Sequence, residues 1–395
     1  MDDLTRKHDN IVFSQQRFDD DHSLFEHTVH AYMDDEQLNI VILPTHELNE
    51  LNLGRMLTPL DGYAFHDTME LDINDFNASF IASNRQYTNS QLLSGPFAKT
   101  ADITLYDQDR FENNDVPSPD EKLTWQDIKT YDSHMDAQTI DKGFISVNDP
   151  VSLFISGLKQ RNIPYITDTG DAFFNAPETR TMLKDYKAMM EKGTLMFDTS
   201  PSNTEAQSAF ASGQTVLTQI PSHTLTSNLP DNDDAFNVGV RPAIQHSISN
   251  PSVMHQGYNL AILQNPYRLS NNQDAELRVS WEIVKTLTST ENTSMLSKQT
   301  GTIPVRQSAY GHADYRTFLE TKDHDPYAAV GAIHQSQREW FTHEETYRIG
   351  STPSLVVRKE IGELMQRLED DAPVKSTYET LIEAWKNEPV HPLIP

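Results

Sequence analysis

A buried strand that runs straight into a helix is the feature that most constrains the fold of this chain. Residues 38–43 form an almost continuous apolar run of strand length. Pro44 then turns the chain into a helical segment that is predicted to end near Gly54. A helix-like segment over 23–33 precedes the strand, and a short strand is predicted over 10–13. This alternation predicts an α/β fold with a parallel sheet.

Later segments continue the same pattern of strands and helices. A further strand is predicted over 102–106, and Thr124 is predicted to begin a helix because Asp127 completes a capping box three residues later. The clearest helix covers 177–192, with a proline in its first turn and Gly193 placed to end it. More helices are predicted over 276–288 and from Ser376 onward. The 395 residues are enough for two domains, and the absence of a flexible linker predicts a chain that crosses between them more than once.

Charge and cysteine usage exclude several classes of partner and site. The 31 Lys and Arg and 58 Asp and Glu residues give a formal charge of −27, which repels polyanions, so no nucleic-acid partner is expected. The chain has no cysteine, which excludes disulfides, thiolate nucleophiles and zinc–thiolate sites. The first residues contain no apolar signal core, so we expect either that an export signal has been removed or that the protein is not exported.

The sequence carries none of the usual catalytic or cofactor motifs. It lacks Gly-x-Gly-x-x-Gly, a phosphate loop, Gly-x-Ser-x-Gly and His-Glu-x-x-His. The acidic residues 231–234 lack the glycine and distal glutamate of a calcium loop, and the 15 histidines have no ligand spacing. No catalytic residue, metal site or cofactor is therefore predicted. A glycoside hydrolase with two carboxylates across a cleft stays open, because acidic residues are so abundant.

Several motifs, in order, resemble those of one protein family. Gly54-Arg-Met-Leu-Thr-Pro-Leu-Asp61 is similar to Gly-x-Leu-x-Pro-Leu, and Leu105-Tyr-Asp-Gln-Asp-Arg-Phe111 is similar to Tyr-Asn-Lys-Asp-x-Phe. Further matches follow over 124–128, 210–217, 257–262 and 281–289. The most telling match is Thr300-Gly-Thr-Ile-Pro-Val-Arg306, because the family carries Thr-Gly-x-Ile-Pro-Val-Arg there. Together these segments resemble the extracellular solute-binding proteins of family 1, which include maltose-binding protein.

The resemblance implies a two-lobed periplasmic-binding-protein fold of type II, an α/β fold. Each lobe would be a mixed sheet flanked by helices, joined by hinge crossings near Tyr106 and Gly257 and after Arg306. The first lobe is predicted over 1–105 plus 258–306, and the second over 106–257 plus 307–395. The family usually has two strands and two helices before the segment that begins at Leu38, so the first lobe is predicted to lack roughly one strand–helix unit near its start.

The function that the resemblance implies is transport rather than catalysis. A protein outside the cytoplasm, at the cell surface or in the periplasm, would deliver a sugar or oligosaccharide to an ABC transporter permease. It would meet the membrane only through the permease or a removed lipid anchor. The alternatives are another solute (an amino acid, a polyamine or a phosphorylated compound) and a degenerate member that no longer binds. A further alternative is a glycoside hydrolase built on the same scaffold.

Seven residues are carried over as candidate ligand contacts. His46 and Glu47 fall where the first lobe of the family offers polar contacts, and Asp149 falls where the second lobe offers an acidic one. His223 stands where many members place a stacking tryptophan. The three aromatic candidates are Phe97 and Tyr258, near the crossings, and Trp340, before the C-terminal helices.

Six of the seven candidates also have a structural alternative. Glu47 suits the first turn of a helix, Asp149 a turn before a proline, and His223 an ordinary loop position. Core packing is the alternative for the three aromatic residues, and Arg306 is predicted to be structural at the lobe junction.

Overall fold

A computed structural model of the chain describes most of its residues. The described ranges are 12–36, 38–66, 71–86, 90–135, 141–163, 177–199, 204–230, 235–264, 273–344, 354–370 and 372–387. The strands are β1 Ile40–Pro44, β2 Gly95–Asp107, β3 Gly143–Val147, β4 Leu195–Phe197, β5 Thr215–Pro221, β6 Val238–Pro242, β7 Val253–Ile262 and β8 Phe341–His343.

Helices surround these strands. The α-helices are α1 Asp21–Met33, α2 Thr45–Leu53, α3 Asp61–His66, α4 Ala78–Ser83, α5 Gln108–Asn113, α6 Trp125–His134, α7 Pro150–Lys159, α8 Pro177–Glu191, α9 Thr204–Ala211, α10 Leu225–Asn228, α11 Gln273–Leu287, α12 Thr290–Thr300, α13 Ala313–Leu319, α14 Pro326–Gln337, α15 Ser354–Glu369 and α16 Val374–Asn387. Short 3-10 turns cover Ile73–Asp75, Ser222–Thr224 and Gln307–Gly311. Among the described helices, none combines the length and the apolar character needed to cross a membrane.

The strands of the described chain form one sheet in two parts, and β2 runs through both. Their order is β1-β7-β2-β5-β3-β4, with β6 beside β2 and β8 beside β7. Residues 95–101 of β2 pair with β7, whereas residues 102–107 pair with β5 and β6. We call β1, β7, β8 and residues 95–101 the first half-sheet. The second half-sheet consists of residues 102–107, β3, β4, β5 and β6.

The sheet is mixed, as the family resemblance implies, and the predicted α/β fold is confirmed. The expectation of a parallel sheet from the first strand is wrong locally, because β1 pairs antiparallel with β7. Parallel pairing occurs where β3 lies between β4 and β5, and where β7 meets β8. A segment distant in sequence therefore fills the place beside β1.

Helix ends follow the local signals in the sequence. Thr124 and Asp127 form the predicted capping box, in which the Asp127 carboxylate accepts a hydrogen bond from the Thr124 amide at 2.8 Å. Gly193 follows α8 with a φ of +79°, a conformation that costs glycine little. The predicted strand over 10–13 is not formed at residues 12–13, and residues 10–11 lie outside the described ranges.

Each half-sheet packs against its own apolar cluster. Phe80, Trp281 and Phe341 belong to a cluster on the first half-sheet. On the second half-sheet, Phe154 and Tyr186 pack with one face of α15. That face carries Val357, Ile361, Leu364, Met365 and Leu368.

The chain passes between the halves again near its end. Val330 of α14 packs with the second half-sheet, β8 then pairs in the first half-sheet, and α15 returns to the second. The pairing along β2 changes between Ala101 and Asp102. The lobe boundaries predicted from the sequence stay a prediction.

Candidate functional site

A pocket lies where the two halves of the molecule meet. Together with the solvent at its mouth it comprises about 380 Å³, and most of its lining comes from the first half. Arg358 of α15 closes it from the side of the second half, because the apolar face of that helix is anchored there. The lining residues are Pro44, Thr45, His46, Ser83, Lys99, His255, Gln256, Gly257, Glu344 and Arg358.

The turn from β1 into α2 places His46 in the lining of this pocket. Pro44 ends β1 in an extended conformation, and α2 begins at Thr45. The surrounding protein desolvates His46, and the neighbouring Arg358 adds a like charge, so its pKa falls to about 4. The imidazole is therefore neutral at pH 7 and has one N–H donor and one acceptor for a solute.

An ion pair between Arg358 and Glu344 joins the two halves at the pocket. Arg358 Nη1 lies 2.6 Å from Glu344 Oε2, and the carboxylate side chain is only 9 % exposed. The carbonyl oxygen of Glu344 also accepts a hydrogen bond from Gln86 at 2.9 Å. Charge-assisted pairs that are this short and this shielded are among the stronger polar contacts in proteins.

A second link between the halves runs through Asp149. The Asp149 carboxylate accepts hydrogen bonds from the Ser152 amide at 2.9 Å and from the Ser152 hydroxyl at 2.7 Å, and so caps α7. Ser152 Oγ in turn accepts a hydrogen bond from Gln256 Nε2 at 2.6 Å. Asp149 therefore does not contact the pocket lining itself; Ser152 connects it by hydrogen bonds to Gln256, which lines the pocket. The structure also gives it the turn role that was the alternative prediction.

Asp102 is a buried acid close to the same link. Burial and the negative charge of Asp149 raise its pKa to about 7, against a hydrogen bond from Gln219 at 3.3 Å that lowers it. Asp102 is the first residue of β2 that pairs with the second half-sheet. It is therefore a titratable group at the point where the strand passes between halves.

Glu47 and Tyr258 lie together, but away from the pocket lining. The Tyr258 hydroxyl donates to Asp21 at 3.3 Å, and Glu47 is buried beside the same carboxylate. Burial, with Asp21 and Asp20 nearby, raises the pKa of Glu47 to about 7. Successive residues of a helix point about 100° apart, so His46 and Glu47 face different surroundings.

His223 contacts β2 at the start of the turn that follows β5. Its Nδ1 lies 3.3 Å from Thr100 Oγ1, and Thr100 also shares a hydrogen bond of 2.9 Å with Ser222. Desolvation lowers the pKa of His223, so its ring is held neutral. Thr100 lies two residues before Asp102, where β2 begins to pair with the second half-sheet.

Phe97, Trp340 and Arg306 have structural surroundings. Phe97 and Trp340 are partly buried and pack against the apolar cluster of the first half-sheet. The Arg306 guanidinium lies 4.2 Å from the centre of the Phe76 ring and 3.7 Å from Asp75. Of the seven candidates, only His46 lines the pocket directly, and the assignment of all seven to ligand binding stays a prediction.

Sequence reasoning missed most of the pocket lining. Lys99, His255 and Gln256 are brought together by the pairing of β2 with β7, and that pairing leaves no local sign in either segment. The sequence offers one sign of this lining: His255 and Gln256 directly precede Gly257, near which a crossing between the lobes is predicted. Arg358 belongs to a helix whose buried face is apolar, and nothing in its spacing marks it as a pocket residue.

Another pocket lies at the outer edge of the first half, between α1 and α11. It has about 580 Å³ of open space and is lined by Thr28, Tyr32, Glu36, Leu38, Asn39, Met56, Leu263, Gln264, Gln273, Glu276 and Leu277. All of these residues belong to the first half, so movement of one half towards the other would not enclose a solute there.

Comparison with known structures shows the same architecture in solute-binding proteins. UgpB from Mycobacterium tuberculosis, solved in complex with glycerophosphocholine, has a TM-score of 0.78 at 17 % identity and covers 98 % of this chain and 92 % of that one. The sugar-binding protein MalE from Xanthomonas citri has a TM-score of 0.77 at 14 % identity. The match covers 98 % of this chain and 95 % of that one.

A solute-binding protein from Agrobacterium radiobacter K84, in complex with ribitol, has a TM-score of 0.69 at 18 % identity, covering 93 % of this chain and 89 % of that one. At these identities the likeness establishes the fold.

A family-level match goes further than the fold. A comparison with curated protein sequences gives no significant match. The sequence profile of the bacterial extracellular solute-binding proteins, however, matches residues 5–318. That range holds the greater part of the chain, including strand β1, which leads to His46, and strand β2, which contains Lys99. The chain therefore belongs to the bacterial extracellular solute-binding proteins, the non-enzymatic receptors that supply solutes to ABC transporters.

Proposed function

We propose that this protein captures a small hydroxylated solute, a sugar or polyol, in the pocket between its halves and delivers it to an ABC permease outside the cytoplasm. The observation that carries the proposal is the polar lining. Thr45, Ser83, His46 and Gln256 all offer hydrogen-bonding groups to one pocket. A solute rich in hydroxyls suits such a lining, because a hydroxyl can donate to and accept from hydroxyl, imidazole and amide groups alike.

The character of the pocket lining favours a small polar solute. Among the described lining residues, the flat rings are the two imidazoles of His46 and His255. Related structures in complex with ribitol, D-mannitol and maltose support the sugar or polyol class.

The proposed binding cycle uses the contacts that join the halves. Closure would bring Arg358 of α15 and Ser152 of α7 onto Glu344 and Gln256 of the first half, as seen in this structure. A solute that contacts both halves would stabilise that arrangement, and opening would break the two links and release it. The strand β2, which belongs to both half-sheets, is the natural place for the bend.

Calorimetric titration with ribitol, mannitol, glucose, maltose and maltotriose tests the proposal. One class should bind, and at about 100 times its Kd it should stabilise the fold by roughly 2.7 kcal/mol. His46→Ala should weaken that binding, whereas His324→Ala, at an exposed position, should leave it unchanged. If none of the five compounds binds, or if His46→Ala binds as well as the native protein, this pocket is not a site for sugars or polyols.

A further inference from the structure

Lys99 is a fully buried lysine that lines the pocket. Its residue is 1 % exposed, and it lies on β2 opposite Gly257 of β7, next to a bulge in the pairing. Its carbonyl accepts a hydrogen bond from the Ile303 amide at 2.6 Å, which fixes the backbone from the other side. The position of this side chain is therefore set by two neighbouring segments.

No carboxylate of the described chain balances the charge of Lys99. The one acid that lines the pocket, Glu344, is already paired with Arg358 at 2.6 Å. His46 and His255 are neutral near pH 7, because burial lowers the pKa of each. The other cation near His255 is Lys159, whose charge acts on it with the same sign as that of Lys99, and His343 is neutral because burial lowers its pKa to about 4. The pocket thus has a local excess of positive charge in a protein of net charge −27.

An uncompensated buried charge is unfavourable for folding, and the surroundings show that cost here. Burial alone lowers the pKa of Lys99 to about 7. A neutral hydroxyl could accept a hydrogen bond from the ammonium, but it would leave the charge unbalanced. An anionic oxygen would balance the charge and accept the same hydrogen bond.

We propose that Lys99 forms an anion subsite and that the solute carries a carboxylate or phosphate group beside its hydroxyls. This inference rests on the proposed function, because it assigns a charge to the solute of the same pocket. The N–H groups of His46 and His255 lie in the same lining and are available as further donors to the anion.

Matched pairs of probes test the subsite. The probes are glucose with glucose 6-phosphate, glucose with glucuronate, and glycerol with glycerol 3-phosphate, titrated at constant ionic strength. The native protein should bind one charged member roughly thirtyfold more tightly than its neutral partner, or better, as expected for a shielded charge pair. Phosphate esters and glucuronate distinguish the two kinds of anion.

Two variants of Lys99 and one control complete the experiment. Lys99→Met and Lys99→Gln should abolish the preference for the charged probe, and two different replacements guard against one that fails to fold. Lys122→Met, at an exposed lysine, should keep the preference.

Two results would overturn the subsite while leaving the proposed function intact: a neutral probe that binds as tightly as its charged partner, or a preference that survives in both Lys99 variants. If no member of any pair binds, both proposals fail.

Discussion

At the scale of single residues, β2 carries two buried charges on either side of the point where it changes partners. Lys99 belongs to the first half-sheet and Asp102 to the second, and burial moves the pKa of each to about 7. Burial disfavours the charged form of both groups, so neither is placed for stability alone. Such positions are typical of functional sites rather than of apolar cores.

Replacement of Lys99 should change how stability depends on pH. The pKa of Lys99 in the folded state, about 7, lies below its ordinary value of 10.5, so the unfolded chain binds more protons between these two values. The contribution of Lys99 therefore makes the native protein more stable as pH rises from about 7 to about 10. Lys99→Met should remove that rise and should stabilise the ligand-free protein near pH 7 by roughly 2–4 kcal/mol.

Urea unfolding at several pH values checks this prediction, with Lys122→Met as the exposed control. Other groups also titrate in this range, so the difference between variant and native protein is the quantity to compare. A Lys99→Met protein with the same pH slope as the native protein would mean that Lys99 is charged and compensated in the folded state.

At the scale of elements, the pairing of β2 with β7 depends on one glycine. Gly257 has a φ of +92°, and a Cβ atom at this position would lie 2.2 Å from the carbonyl oxygen of Ala98. Real side chains do not approach a backbone atom so closely. Gly257 thus lets the two strands come together beside Lys99 and brings His255 and Gln256 to the pocket.

Gly257→Ala should be strongly destabilising for this reason. The left-handed conformation alone costs a residue with a side chain about 1–2 kcal/mol, and the contact with Ala98 adds to that cost. Gly193→Ala is the matched control, because Gly193 has a φ of +79° but a Cβ atom added there would meet no heavy atom within 4 Å. Chemical denaturation should show a clearly larger loss for Gly257→Ala, and equal losses would contradict the close approach.

The sequence predicts helices better than it predicts strand partners. The ends of α6 and α8 follow from a capping box and from a proline and glycine, which are signals between residues close in the chain. The first part of β2 was not predicted, because Pro96 and Lys99 interrupt its apolar pattern. Nor can local signals show that β1 pairs with β7, since more than two hundred residues separate them.

The candidate site shows the same limit. The family motif led to His46, which lines the pocket, because a turn after a buried strand is a local feature. Phe97 was proposed from its place near a predicted crossing and Trp340 from its place before the C-terminal helices, and both pack with the apolar core. Lys99 and Arg358 were missed because their roles arise only when distant segments meet.

At the scale of the whole molecule, the net charge of −27 sets the field that a solute meets as it approaches. At low ionic strength that field extends over roughly 30 Å, and at about 0.1 M salt over roughly 10 Å. An anionic solute would be repelled at a distance and attracted only within the pocket. A neutral sugar would be indifferent to the field.

Salt should therefore speed the association of an anionic solute. Between about 10 mM and about 100 mM salt, the association rate of the charged probe preferred by the native protein should rise several-fold, because the long-range repulsion is screened. Its neutral partner should show no such change. Stopped-flow fluorescence would measure both rates, and a rate for the charged probe that falls with salt would mean that the pocket, rather than the surface, dominates its approach.

The continuity of β2 has a consequence for how this protein can be divided. Because one strand of thirteen residues supplies a part of each half-sheet, and the chain returns to both halves later, no single cut yields two fragments with complete cores. A protease that nicked the chain within β2 would damage both halves at once. We therefore expect neither half to fold as a separate fragment.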